Sequence, residues 1–200
     1  MDTPRIFIAS APGNEQAELA LTNSIAANAS GPTDIKFMRS GDIGWDDWYD
    51  GMVTPFTLFR WAIPELCNYQ GYAIYLDVDM IVLGDINELW NYRQAGKWLC
   101  AGREDVSVID CSAYRTILPS IERLKKMERL DKFAIRSLVN PSAEIPECWN
   151  HCDKLEHDTK LLHFTNVETQ PWKPWPQKIA YRRHPRPDCV ELWKRYAGLL

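Results

Sequence analysis

A chain of 200 residues has room for one α/β domain with a proper core and little for a second. Its 46% apolar and 25% charged residues are those of a globular protein, and a net charge of −4 gives no pull toward nucleic acid or an anionic membrane surface. No stretch is long and apolar enough to serve as a transmembrane segment. The opening Met-Asp-Thr-Pro-Arg lacks a signal-peptide layout, and six irregularly spaced cysteines read as reduced thiols, which sets the expectation of a cytoplasmic protein.

In chain order, Arg5–Ala9 is a short β-branched and aromatic run, expected as a buried first strand. Asn14 is placed to cap a helix over Glu15–Asn28 with Ala17, Leu21 and Ile25 inward, and Ser30-Gly31-Pro32 ends it before a second strand, Asp34–Met38. Strand–helix–strand alternation favours a parallel α/β sheet. Ser40–Thr54 is a loop with Trp45, Trp48 and Tyr49 close together, long enough to suggest a functional role. Pro55 opens a helix carrying Phe56, Phe59, Ile63 and Leu66, with Pro64 expected to end or kink it. Tyr72–Leu76 is the clearest buried strand, and Asp85-Ile86-Asn87-Glu88 looks like a capping box for a short helix ending near Trp90.

Trp98–Ala101 and Val106–Ile109 read as further strands, and Pro119 to Val139 as one long amphipathic helix. Leu161–Thr165 is a last buried strand, followed by the Pro- and Trp-rich Gln170–Pro176 and a terminal helix over Asp188–Leu199. Arg182, Arg183 and Arg186 form a local basic cluster, readable as a solvated face or an anion site. Cys148, His151, Cys152 and His157 fall close together but match no familiar zinc spacing, so ordinary thiols are preferred.

The informative segment is Tyr72-Ala-Ile-Tyr-Leu-Asp77-Val-Asp79. Residues i and i+2 of an extended chain point to one side, so the two carboxylates converge among apolar neighbours. There they repel and resist ionisation unless a cation lies between them, and hard oxygen ligands suit Mg²⁺ or Mn²⁺. A turn-capping Asp beside a solvent-facing one is the plainer alternative. His163, in Leu161-Leu-His163-Phe-Thr165, reads either as a satisfied core histidine or as a third ligand, which would tilt the choice from Mg²⁺ toward Mn²⁺.

Taken together, these motifs resemble the retaining glycosyltransferases of family eight, the group that includes glycogenin and the bacterial lipopolysaccharide galactosyltransferases. The resemblance rests on Thr57-Leu-Phe-Arg60, Ala73-Ile-Tyr-Leu-Asp77-Val-Asp79, Leu83-Gly-Asp-Ile-Asn-Glu-Leu-Trp90, then His163-Phe164 and Pro171-Trp172, in order over roughly residues 5–175. It implies a GT-A fold: a single α/β domain over 1–200 with a mixed, mainly parallel sheet flanked by helices. The nucleotide-binding part would span about 1–90, and an acceptor and closing part about 91–200.

The resemblance also implies an activity, transfer of a hexose from a UDP-linked donor to a glycan or other hydroxyl acceptor, with retention. It assigns the metal to Asp77, Asp79 and His163, with Val78 between the two acids. Ala9, Ser10 and Asn14 fall by the nucleobase and ribose, and Thr57 and Arg60 along the donor; Arg60 reads equally as a helix residue pairing with a surface acid. So many tryptophans suggest that several line a groove, since flat apolar sugar faces stack on aromatic rings.

Three departures stand out. Gln170 holds the place of the family's lysine before Pro-Trp, while Lys173-Pro174-Trp175 follows three residues later, so the sequence leaves open which of Gln170 and Lys173 meets the diphosphate. The family's Asn-x-Gly strand and its Asp-Gln pair near the reacting carbon are poorly matched; Val106–Asp110 is the nearest strand, with Asp131 or Asn150 as catalytic stand-ins. The chain is also short for the family. Rival readings are a non-catalytic nucleotide-sugar or glycan binder on the same fold and a haloacid-dehalogenase-type phosphatase. The phosphatase motif wants Thr or Val where Ile81 stands, and leaves His163 unexplained.

Overall fold

Strand β1 (Arg5–Ala9) is buried along nearly its whole length because it is paired on both sides: parallel to β2 (Asp34–Met38) and parallel to β3 (Tyr72–Asp77). A strand covered on both faces reads as a continuous apolar run, which is what Ile6, Phe7, Ile8 and Ala9 supply. The computed structural model describes residues 2–39, 41, 54, 56–127 and 129–200. Beyond β3 the sheet continues with β6 (Arg103–Asp110), antiparallel to β3, and β5 (Trp98–Ala101), antiparallel to β6, in the order β2-β1-β3-β6-β5. The fold is thus the expected mixed α/β arrangement, its parallel part formed by β2, β1 and β3.

A second sheet, in the order β4-β8-β7, joins β4 (Met80–Val82), β8 (Leu161–His163) and β7 (His151–Cys152). The chain leaves the first sheet at Asp77 and enters the second at Met80, so Asp79 stands at the crossing. Helix α1 (Glu15–Asn28) buries Ala17, Ala20, Leu21 and Ile25 and is tied to β4 by polar bonds. The Val82 amide donates to Ser24 Oγ (2.9 Å), and Asn28 Nδ2 donates to the Val82 carbonyl (3.0 Å). Truncating Leu21, fully buried, to alanine would cost about 2–5 kcal/mol.

Asn14 occupies the N-cap of α1 without making the side-chain cap bond expected of it. Its amide is used elsewhere: Nδ2 donates to the Ala11 carbonyl (3.1 Å), and Oδ1 accepts from Trp172 Nε1 (2.9 Å). Trp175 Nε1 likewise donates to the Pro12 carbonyl (2.9 Å), so the late Pro/Trp segment is sewn onto the loop after β1. Gly13 completes that seam. Its φ is +96°, and a Cβ there would lie 2.3 Å from the Pro174 carbonyl oxygen.

The segment after Pro55 is a 3-10 turn, Phe59–Ala62, running into a short α2 (Ile63–Leu66) in place of one helix. Pro64 lies in the first turn of α2, where its missing N–H is no loss. Helix α3 (Ile86–Trp90) has Asp85 as its N-cap, accepting from the Asn87 amide. The expected long helix over 119–139 is two, α4 (Ile121–Lys126) and α5 (Arg129–Val139). The chain turns extended at Met127 (ψ 144°), which lets that side chain pack on the core. The last helix, α6, spans Pro187–Tyr196 and packs on α1.

Seven of the nine tryptophans are buried in the core, which corrects the expectation that several line a groove. Trp45, Trp48 and Tyr49 lie outside the described residues. All six cysteines are free. Within the Cys148–His157 stretch, His157 is exposed and His151 Nδ1 is 2.8 Å from Thr159 Oγ1. No described helix is long and apolar enough to cross a membrane.

Candidate metal centre

Ligand atoms of Asp77, Asp79 and His163 all lie within 4.8 Å of one another. Three local causes bring them together. Asp77 ends β3, aligned with Ala9 at the end of β1, where open α/β sheets take their ligands. Asp79 precedes β4, whose first residue Met80 pairs with His163 of β8. The Phe164 amide donates to the Asp79 carbonyl (2.8 Å), which fixes that crossing. The sequence distance between Asp79 and His163 is bridged by one antiparallel ladder.

The Asp79 side of the cluster is almost wholly buried. Asp79 Oδ1 is 3.1 Å from His163 Nε2, while Oδ2 accepts from Gln170 Nε2 (2.9 Å), whose amide also donates to the Phe164 carbonyl (2.9 Å). His163 Nδ1 is 2.9 Å from Asn150 Oδ1, and Asn150 Nδ2 donates to the Ala101 carbonyl (3.1 Å). That second bond turns the Asn150 oxygen toward the imidazole, so Nδ1 carries a proton and Nε2 is the nitrogen facing Asp79. Burial alone would lower the His163 pKa, but the Asp79 charge outweighs it and holds the imidazole well above its ordinary 6.5.

The Asp77 side is a chain of charges. Arg60 is buried beneath it, stacked 4.7 Å from the Tyr75 ring, with Nη2 3.4 Å from Asp77 Oδ1 and Nη1 3.3 Å from Asp105 Oδ1. Tyr75 donates its hydroxyl to Asp77 Oδ1. Arg103 Nη2 reaches the other oxygen of Asp105 at 2.6 Å. Burial pushes the Asp77 carboxyl up to about 7; Arg60 opposes this, and the Asp105 and Asp79 charges add to it. Burial also works upward on Asp105, but Arg60, His163 and Arg103 hold it below the ordinary carboxylate range.

The residues fit a divalent cation. Asp79 Oδ1 is buried, its partner is the imidazole Nε2 at 3.1 Å, and a cation between the two would take over that pairing. Two carboxylates and one imidazole nitrogen form the mixed donor set that Mg²⁺ and Mn²⁺ accept. The three ligands share a cavity of 360 Å³, whose wall includes Thr54, Arg103, Asp105 and Thr165.

Other residues singled out in the sequence lie as follows. Ala9, Ser10 and Asn14 are buried at and beyond the end of β1, and Val78 is buried between the two acids. Thr57 Oγ1 is 2.7 Å from Thr54 Oγ1, and its carbonyl accepts from Arg60 Nε (2.8 Å). Gln170 is buried behind Asp79, and Asn150 behind His163. Lys173 is exposed and lines a different groove with Tyr181, Arg182, Arg183 and Lys194. Asp131 is exposed on α5 and lies outside the wall of the metal-side cavity. Arg103 and Asp105 escaped the sequence reading. Their signal was two opposite charges, two residues apart, opening a strand.

Residues 46–151 match the family described as Glycosyl transferase family 8. The chain belongs to glycosyltransferase family 8. Solved structures carry the same fold over nearly all of this family 8 chain. An active-site mutant of LgtC superposes with a TM-score of 0.68 at 12% identity, covering 97% of this chain and 95% of that one. GlyE of Streptococcus pneumoniae TIGR4 gives 0.65 at 16% identity, over 98% of this chain and 61% of its own. Protein CDI of Arabidopsis thaliana is 31% identical over 90 residues, a match that spans 42% of this chain and 35% of that protein. Family, fold and converged cluster together give this chain a family 8 glycosyltransferase fold with three side chains placed where they could hold a metal ion.

Proposed function

We propose that the chain transfers a hexose from a UDP-sugar to a hydroxyl of a glycan or other acceptor, with retention of anomeric configuration. Mn²⁺, or Mg²⁺, would be held by Asp77, Asp79 and His163. The observation that carries this reading is the convergence of those three groups at one cavity in a family 8 chain. LgtC, a similar fold, is described as a galactosyltransferase studied with donor and acceptor sugar analogues, which supports a sugar donor and a sugar acceptor here. Residues 1–200 are read as one domain, with the donor part about 1–90 and the acceptor part about 91–200, acting in the cytoplasm.

Breaking the sugar–phosphate bond leaves positive charge on the anomeric carbon and negative charge on the departing diphosphate. When bound, the metal supplies Lewis-acid stabilisation of that departing charge. The chain's own residues do the rest. Asn150 keeps the His163 proton on Nδ1 and so presents Nε2 as a ligand atom; Gln170 holds Asp79 by Oδ2 and leaves Oδ1 turned toward the site. Arg60 keeps Asp77 and Asp105 at fixed positions from below, so little reorganisation is needed when charge moves. The choice of Mn²⁺ over Mg²⁺ rests on the imidazole in the donor set.

The test is UDP-sugar hydrolysis, followed by release of UDP with and without Mn²⁺ across UDP-glucose, UDP-galactose and UDP-xylose. Mn²⁺-dependent UDP release from one of these, lost in Asp79→Ala, is the expected result. Metal-dependent binding without release would favour a recognition protein on the same fold, and neither binding nor release would remove the reading.

A further inference from the structure

A diphosphate entering the cavity meets a wall of acids: Asp77, Asp79, Asp105 and Glu168 all line it. Beyond the bound ion, a group that loses a dianion needs a cation from the protein. Both residues that the sequence offered for this are placed away from the task. Gln170 is neutral and 3% exposed, and its amide donates to Asp79 and to the Phe164 carbonyl. Lys173 lines the groove beside Tyr181 and Arg182 and is not among the residues that line the metal-side cavity.

Among the described residues, the lysine or arginine that lines the metal-side cavity is Arg103. We infer that Arg103 is the residue that meets the diphosphate of the donor, in the role the sequence left between Gln170 and Lys173. This rests on the proposed nucleotide-sugar reading and adds a binding residue to it.

The local structure explains why Arg103 can serve. Strands β5 and β6 are joined by Gly102 alone (φ +72°), and their register shifts at Cys100/Ala101. Such an irregularity re-aims side chains at a strand end. Arg103 and Asp105, two apart, fall on one side and reach the cavity, while Glu104 pairs with Arg136 on α5. Arg103 Nη2 lies 2.6 Å from Asp105 Oδ2 as an ion pair, and Asp105 is itself paired through Oδ1 with buried Arg60. The side chain remains 55% exposed, which leaves further N–H donors for a phosphate. A guanidinium held from behind by a carboxylate is preorganised for an anion in front.

The experiment is calorimetric titration of UDP, and separately of uridine, into Mn²⁺-saturated wild-type protein and into Arg103→Ala, Arg103→Lys and Lys173→Ala. Arg103→Ala should weaken UDP roughly tenfold to a hundredfold, the worth of a charge-assisted bond. Uridine, which has no phosphate, should bind all variants alike, and Arg103→Lys should recover part of the loss. Because Arg103 is half-exposed, its variants should keep the native melting curve; if the alanine variant does not, Arg103→Gln makes the same comparison. Undiminished UDP affinity in Arg103→Ala, or the main loss falling on Lys173→Ala, would overturn the assignment while leaving the donor reading intact. Wild-type protein that binds no UDP with Mn²⁺ would bring down both.

Discussion

The two carboxylates of the site sit in opposite kinds of surroundings although one residue separates them. Asp79 is enclosed by a short relay of side chains, with Gln170 on one oxygen, His163 beside the other, and Asn150 holding the imidazole in turn. Asp77 belongs to a row of alternating full charges, Arg60, Asp105 and Arg103, that runs toward the cavity mouth. The first half is a rigid socket whose parts fail together, because each buried polar group relies on its neighbour. The second is a charged wall, costly to hold without a ligand, as the raised Asp77 pKa shows. Loss of a socket residue should therefore damage both fold and binding; loss of Asp77 or of half-exposed Arg103 from the wall should damage binding alone.

Asp79→Ala breaks that contrast most severely on the socket side. It strands a buried imidazole and the Gln170 amide, so unfolding free energy should fall by about 3–5 kcal/mol, as when one partner of a buried pair is removed. A urea melt reads that loss, and Mn²⁺ binding should vanish with it. Asp77→Asn should abolish Mn²⁺ binding equally while leaving the melting temperature at pH 8 unlowered, since it removes a carboxylate that burial disfavours. A melt as damaged as that of Asp79→Ala would erase the distinction.

Asn150→Ala is smaller. It leaves the three ligands in place but frees the imidazole to turn, and a lost outer-shell partner of this kind weakens metal affinity about 10–100-fold. A Mn²⁺ titration checks it; Asn150→Asp, which keeps an acceptor for Nδ1–H, should recover much of the affinity.

The smallest effect is on pH. With Asp77 near 7, the ionised fraction rises about tenfold between pH 6 and pH 8, so Mn²⁺ affinity should rise by at least that factor, with protons released on binding. The raised His163 pKa acts in the same direction, because its proton must also leave before the metal binds. For the metal-free protein the sign reverses. The folded state holds the Asp77 proton more tightly than the unfolded chain does, so this group's share of stability declines as pH rises from 3.8 to about 7. Mn²⁺ affinity that is flat over this range would contradict the Asp77 assignment.

What could be read in advance follows how locally each feature is encoded. Apolar runs fully specify β1 and β3, and the Asp77-Val-Asp79 step at the end of β3 is visible because charge interrupts such a run abruptly. Contacts between distant segments were less legible. Gln170 meets Asp79 across 91 positions, and nothing around a lone glutamine announces this; Asn150 meets His163 across 13. The helix expected over 119–139 carries a continuous amphipathic pattern, yet tertiary packing of Met127 divides it. Asn14 looked like a cap by its type, but Trp172, far along the chain, competes for its side chain. The tryptophans misled for a similar reason: composition says how many rings there are and nothing of which face they meet.

The central claim is that Asp77, Asp79 and His163 make one divalent-cation site. Titration of Mn²⁺ followed by the loss of its free-ion paramagnetic resonance signal tests it most directly. The account predicts one site per chain in the wild-type protein, absent from Asp77→Asn, Asp79→Ala and His163→Ala. A free-ion signal that wild-type protein leaves undiminished, or one site that survives all three substitutions, would contradict it.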